Sequence, residues 1–562
     1  VNIKGKNVLF LKRVLDVTEE VEKMRAELNT QARPMGMRKL SYLLETEYKE
    51  KTGLEAYLGS MWDGSKYYMA LYEVYKDVRL VAAPPVSSAA FGGDIDNWEW
   101  PQHKCDFAMY RIYTAPDGSP AEYSSQNVPL KLKAKLNISL EGYKAGDYTM
   151  VIGFPGSTNR YSNSYEVNFN QTVRQPICNT LRGDQMAIIK KWMDADPEIR
   201  LKYSDYYFNL SNVQELYSGE VECIDRFDVI GKKAALEKEV QEWIEASEER
   251  RQRWGNLLND LKAKYLAVVV PETNVNYYRE TLVRGTRISR ACTKLNSFRT
   301  AVMTSQGITP KKIIELVDGP DPAETEFCNT FLFRGKDYKK QIDAILKEYE
   351  GIDLRVEKDL FRYAVEQFYS NVEHSLLGEY QMRLYHQYSE DFDKIADHIW
   401  EKSFFTDIAR RDKFISEEHT VADYLADPLF RFLQELRITS FNEATAAAEG
   451  EPTRSALNKE FTHALYQMRL DKGIVQYPDA NSTMRITYGT VGGYEPRDGV
   501  VCDWKTTPAG ILEKYIPGDF DFTLNERQHQ LYRKGDWGRW GFGDNGSLMY
   551  VNFLTDNDIT GG

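Results

Sequence analysis

The sequence predicts an α+β protein whose two ends are rich in strands and whose middle is helical. Three observations carry that expectation. Residues 1–158 hold short apolar runs punctuated by Gly and Pro. Residues 159–477 repeat apolar side chains at helical spacing among Glu, Lys and Arg. Residues 478–562 return to alternating text. A chain of 562 residues exceeds one ordinary core, so several domains, or one domain carrying an insertion, are expected.

The elements follow in order. Val8, Phe10 and Leu11 lead into Arg13-Val14-Leu15 as a strand, and residues 18–28 read as a helix. Residues 106–113 are strand-like, with apolar residues at 107, 109 and 112. Tyr148-Thr149-Met150-Val151-Ile152-Gly153 reads as a buried strand closed by a Pro155-Gly156 turn, and Asp117-Gly118 and Glu141-Gly142 are further turns. Strands at this spacing suggest a barrel or sandwich. In the middle, Leu236, Val240, Trp243 and Ile244, then Trp254, Leu257, Leu258 and Leu261, mark helix faces, as do residues 360–388 and 421–436. Charge runs such as Glu248-Glu249-Arg250-Arg251 are solvated faces. Near the end, residues 482–488 alternate, Asn545-Gly546 is a type I′ turn signal, and residues 550–554 are strand-like.

Composition narrows the function. Hydrophobic residues make up 42% and charged residues 28%, which fits a globular chain and excludes a disordered one. The net charge of −12, with basic residues interleaved among carboxylates, argues against a nucleic-acid partner. No apolar run reaches the ~18 residues that a membrane span needs. The six cysteines form no Cys-x-x-Cys pair, and the seven histidines form no His-Glu-x-x-His pair, so no metal and no cofactor is expected. Buried thiols and long-range disulfides both fit the cysteine scatter. Asp94-Ile95-Asp96-Asn97 resembles the start of a calcium loop but fails at Trp98, Glu99 and Cys105. In Gly543-Asp544-Asn545-Gly546-Ser547 an asparagine stands where a nucleophile motif needs serine. A sugar-cleaving enzyme, suggested by 36 tyrosines and 10 tryptophans, needs a carboxylate pair that nothing singles out. Both ends read as cut: the chain opens in strand-like text without Met and closes on Gly561-Gly562.

Residues 91–107 are the most informative stretch, with two tryptophans, three carboxylates before Lys104 and two glycines ahead of Asp106. An aspartate at the head of such a strand suits the acceptor of a catalytic histidine's Nδ1–H. On pattern alone, a loop-capping aspartate is the plainer reading.

Residues 91–113, 478–489 and 551–562 together resemble the bacterial dipeptidyl-peptidase 7 and 11 group, serine peptidase family forty-six. The resemblance covers essentially the whole chain. It implies a chymotrypsin-like double β-barrel, incomplete at both ends here, interrupted by a large helical cap: residues 1–158 and 478–562 are the two parts of the peptidase domain and 159–477 the insertion. The implied activity is release of N-terminal dipeptides from oligopeptides by Ser-His-Asp acyl transfer, with an oligopeptide bearing a free N-terminus as partner, and a homodimer is compatible with it. Asp106 is the triad aspartate by resemblance, and Gly562 an oxyanion N–H donor. Asn97, the Trp98 carbonyl and Asn212 bind the substrate α-ammonium. The histidine is expected before Val1 and the serine two residues beyond Gly562, so these 562 residues alone are expected to be inactive. Residues beyond the serine set the preference for acidic or hydrophobic P1 side chains. A periplasmic or cell-surface location is implied as well. The alternative is a peptide-binding homologue that has lost the triad.

Overall fold

The computed structural model describes residues 1–29, 37–294, 332–333, 336–434 and 452–561. It is a mixed helix-and-sheet protein that divides into two compact units, Val1–Ser162 with Thr462–Gly562, and Asn163–Phe461. Among the described residues the sheets are antiparallel, of two or three strands each, and none closes into a barrel.

In the first unit, Lys66–Tyr75 is the central strand between Val8–Asp16 and Glu55–Met61. Its pleat sends Tyr67, Met69 and Leu71 into a core with Val17, Val21, Leu40 and Leu44 from the helices Thr18–Asn29 and Met37–Thr52. The first helix starts where Asp16 accepts hydrogen bonds from the Thr18 backbone N–H at 3.0 Å and hydroxyl at 2.6 Å. These bonds, led by the hydroxyl, hold the Asp16 carboxyl below its usual range.

A second sheet orders Asp77–Ala82, Met109–Thr114 and Val128–Pro129. Its anchor is Asp77, fully buried, which accepts two bonds from Arg79 at 2.9 and 2.8 Å and one from Asn127 at 2.9 Å. The Arg79 guanidinium lies 3.6 Å from the Tyr113 ring centroid. Pairing of the middle strand begins only at Met109, opposite Ala82. Pro84 and Pro85 follow just past the end of the partner strand and offer no N–H to extend the ladder. Asp106 therefore lies three residues outside the strand, not at its head.

The strand Tyr148–Gly153 exists as expected and pairs with Arg485–Thr490, but it is not buried. Met150 faces Tyr488 and Ile152 faces Ile486, and all four are at least half exposed. Residues 550–554 form no regular strand: Phe553 makes an isolated bridge with Lys505, and Thr555 just beyond makes one with Val491. Asn545 and Gly546 do turn, both at positive φ, inside a loop closed by a single Phe542–Leu548 bridge.

The second unit is dominated by helices. Gln175–Ala195 and Pro197–Arg226 meet at Asp196, whose carboxylate caps the Glu198 N–H at 2.9 Å while Pro197 occupies the first helical turn. Leu236, Val240, Trp243 and Ile244 lie on Val229–Glu245. The 360–388 stretch is two helices, Leu354–Asn371 and Glu379–Gln387. The 421–436 stretch, whose last two residues lie outside the described ones, is two helices, Val421–Leu425 and Pro428–Gln434, interrupted at residues 426–427. There the buried Asp427 carboxylate accepts from the N–H groups of Phe404, Leu429 and Phe430, and burial pushes its pKa up to about 6. The core gathers Phe361, Val365, Phe368, Ile395, Ile399, Phe430 and Phe432. The five described cysteines, at 105, 178, 223, 292 and 502, are free thiols, and Cys328 lies outside the described residues.

Glu357 is a second buried carboxylate of that unit that gathers donors from distant segments. It is fully buried and accepts from Tyr203 Oη at 2.8 Å, the Arg287 N–H at 2.8 Å and the Ile288 N–H at 3.2 Å. Burial raises its pKa in spite of those bonds. Replacing it by alanine strands three donors, at about 1–3 kcal/mol each. Glu357→Ala is expected to lower unfolding stability by about 3 kcal/mol or more, and Glu357→Gln by less than half as much, in urea denaturation. A loss below about 1 kcal/mol for alanine would show that the network is dispensable.

Candidate functional site

The segment between Asp77–Ala82 and Met109–Thr114 holds Asn97, Trp98 and Asp106, and its shape comes from contacts with residues 506–524. Phe91, 1% exposed, packs with Ile511 and Leu524 and meets Phe522 edge to face. The Gly92 N–H donates to the Asp521 carbonyl at 2.8 Å, and Thr506 Oγ1 donates to the Gln102 carbonyl at 2.8 Å. Gly92 and Gly93 both have positive φ, +88° and +46°. A Cβ at Gly92 would overlap the Asp96 carboxylate, and one at Gly93 that of Asp521. The paired glycines are thus required by close approach as well as by backbone conformation.

Asp96 lies at the centre of this loop and is 5% exposed. Lys514, the last residue of the helix Pro508–Lys514, donates to both of its oxygens at 2.9 and 2.8 Å and to the Pro101 carbonyl at 2.9 Å. Gln102 Nε2 donates to the Asp96 carbonyl at 2.9 Å. The two residues that follow Asp96 are the expected ammonium ligands. Asn97 is half-buried, and its N–H donates to the Asp94 carbonyl at 3.1 Å. Trp98 is 50% exposed and has φ +57°, a left-handed conformation that a bulky residue adopts only at a cost of about 1–2 kcal/mol. Such outliers persist where the surroundings over-determine them.

The neighbouring ionisable groups are displaced from their usual ranges. His103 is 3% exposed, its ring lies against Gly510, and its Nδ1 has no hydrogen-bond partner among the described residues. Burial, then the charge of Lys514, pushes its pKa down to about 4, so it is neutral at pH 7. Asp94 is pushed up to about 6 by burial and by the charge of Asp521, against the pull of Lys104.

The remaining expected residues are placed less centrally. Asp106 is exposed, in chain without regular pairing. Asn212 is half-buried on the helix Pro197–Arg226 of the second unit. Gly562 lies outside the described residues. The stretch leading to it is fastened along the Tyr148–Gly153 and Arg485–Thr490 pair. Asp556 accepts from the Thr490 N–H at 2.5 Å, Asn557 Oδ1 from Thr149 Oγ1 at 2.9 Å, and the Asp558 N–H donates to Thr487 Oγ1 at 3.2 Å. Lys514 carries no motif, and its link to Asp96 is invisible in a single sequence.

A family model described as Peptidase S46 matches residues 1–309 and 329–562. The chain belongs to the peptidase S46 family. Among its relatives, the dipeptidyl-peptidase 7 of Porphyromonas endodontalis is 31% identical, over 100% of this chain and 64% of its own length. The dipeptidyl-peptidase 7 of Capnocytophaga gingivalis is 30% identical, and an Asp/Glu-specific dipeptidyl-peptidase of the same organism 29%, each over 100% of this chain and 74% of its own. The chain thus spans about two thirds to three quarters of the length of these relatives. The crystal structure of Porphyromonas endodontalis DPP11 in complex with the dipeptide Arg-Glu superposes with a TM-score of 0.78 at 26% identity, over 100% of this S46 chain and 77% of that one. Among the described residues no helix is long and apolar enough to cross a membrane.

Asp94 generates a pH-dependent expectation. Its folded pKa, about 6, lies above the ordinary 3.8, so the folded state holds this proton more tightly. Its contribution to stability is fully present below 3.8 and is lost as the pH rises through about 6. Asp94→Asn is therefore expected to raise Tm relative to wild type more at pH 7.5 than at pH 4.5, by scanning calorimetry. A difference that does not change with pH would put the carboxyl back in the usual range.

Proposed function

We propose that this chain belongs to a serine-type dipeptidyl-peptidase that removes dipeptides from the free N-terminus of oligopeptides by Ser-His-Asp acyl transfer, in a bacterial periplasm or at the cell surface. The observation that carries this reading is the Asn97–Trp98 turn, half open to solvent yet held by the pairing of the buried Asp96 with Lys514, in a chain of the S46 family. The crystallised DPP11 neighbour, held with a dipeptide, supports a site that receives two residues. In this proposal the first unit carries strands of a chymotrypsin-like double barrel and the helical unit is its insertion.

An α-ammonium offers three N–H donors and no acceptor, so its site needs oxygens at a fixed distance from the nucleophile. The Asn97 side-chain oxygen and the Trp98 carbonyl supply them in this reading. Charge-assisted bonds of this kind are worth about 1.5–3 kcal/mol each. An amide dipole holds the cation without the desolvation cost of a buried ion pair. Asp106 accepts the Nδ1–H of the catalytic histidine, fixing its tautomer and stabilising the imidazolium that forms when the serine loses its proton. The Gly562 N–H stabilises the tetrahedral oxyanion. The exposure of Asp106 agrees with a carboxylate that receives such a partner.

The test uses the full-length protein. It is expected to release dipeptides from free-amine peptides and to spare their N-acetylated counterparts, and equal rates on the two would remove the ammonium site. Asp106→Asn is expected to lower kcat by about 10⁴ with the fold intact. A loss under about tenfold, a small fraction of that triad effect, would take Asp106 out of this role.

A further inference from the structure

We propose that Lys514 is a positioning residue for N-terminal recognition: its ammonium staples Asp96 to Pro101 and so fixes the turn that presents Asn97 and Trp98. The proposal rests on the ammonium-site reading above.

The geometry is that of a closed ring. Lys514 Nζ has three N–H donors, and the structure gives it three acceptors: the two Asp96 oxygens at 2.9 and 2.8 Å and the Pro101 carbonyl at 2.9 Å. Those acceptors flank Asn97, Trp98, Glu99 and Trp100 on both sides. One cation therefore closes the base of the four-residue turn that carries both expected ligands. A second brace runs the same way, from Gln102 Nε2 to the Asp96 carbonyl. Nothing in the local sequence favours a tryptophan at φ +57°, so the conformation depends on constraints of this kind. The staple itself is anchored, because the helix that ends at Lys514 inserts Ile511 beside Phe91 and seats Gly510 against the His103 ring.

The chemistry predicts a particular kinetic signature. The turn binds the substrate's end and takes no part in bond breaking, so loosening it weakens binding and leaves the acyl-transfer step in place. A misplacement near 1 Å at a binding group is worth about 10–100-fold. Lys514→Arg keeps the charge and offers five N–H donors in a planar fork in place of three. Asp96→Asn combined with Lys514→Met removes both charges, leaves no buried ion unpaired, and still opens the ring.

The experiment measures kcat and KM of the full-length enzyme on a free-amine peptide and its N-acetylated form for wild type, Lys514→Met, Lys514→Arg and the Asp96→Asn/Lys514→Met pair. The expected result is a KM for the free-amine peptide raised about tenfold or more in Lys514→Met and in the pair, with kcat within about threefold, and substantial recovery in Lys514→Arg. Should Lys514→Met not fold, the neutral pair and the arginine variant give the same readout. A loss confined to kcat on the free-amine peptide, with KM unchanged, would mean that Lys514 only supports folding and would overturn the proposal. Wild type cleaving both peptides equally would instead overturn the ammonium site itself.

Discussion

Asp96 shows almost no surface, and the charge that answers it stands 418 residues further along the chain. Taking a carboxylate out of water is costly, and removing Lys514 would leave the Asp96 charge buried and unpaired. The loop of residues 91–105 therefore has a defined shape only once residues 506–524 are in place. Phe91 in its apolar cluster, the Gly92 bond to Asp521 and the bond from Thr506 to Gln102 all depend on the same meeting of distant segments. The first unit is built from two stretches of chain, and its candidate site lies where they interlock.

The legible parts of the fold were those set by local pattern. The strand Val8–Asp16 and the helix Thr18–Asn29 follow from apolar spacing and from the Asp16–Thr18 cap, both visible within a few residues. The helix Met37–Thr52 is hard to read because exposed Tyr42 and Leu43 sit between the buried Leu40 and Leu44 and blur the stripe. The strand Tyr148–Gly153 is legible as a strand, but its burial is not, since that depends on what lies across from it. The late start of Met109–Thr114 reflects the prolines just past the end of the partner strand, a constraint that the strand's own sequence does not carry.

The same division holds at the site. The resemblance names Asn97, Trp98 and Asp106 by position, and the two glycines signal an unusual backbone. Why the turn holds its shape is set by Lys514, an unremarked basic residue near the end of a short helix. Nor does the sequence distinguish His103 from the other six histidines. Burial against Gly510 and proximity to Lys514 keep its imidazole neutral, and neither neighbour is close to it in the sequence.

The ribbon formed by Tyr148–Gly153 and Arg485–Thr490 has a practical consequence. Met150, Ile152, Ile486 and Tyr488 present greasy side chains to water on one face of a two-stranded sheet, an arrangement that is marginal in isolation. An apolar face of this kind is one to which a further apolar surface can adhere, whether from the same polypeptide or from another molecule.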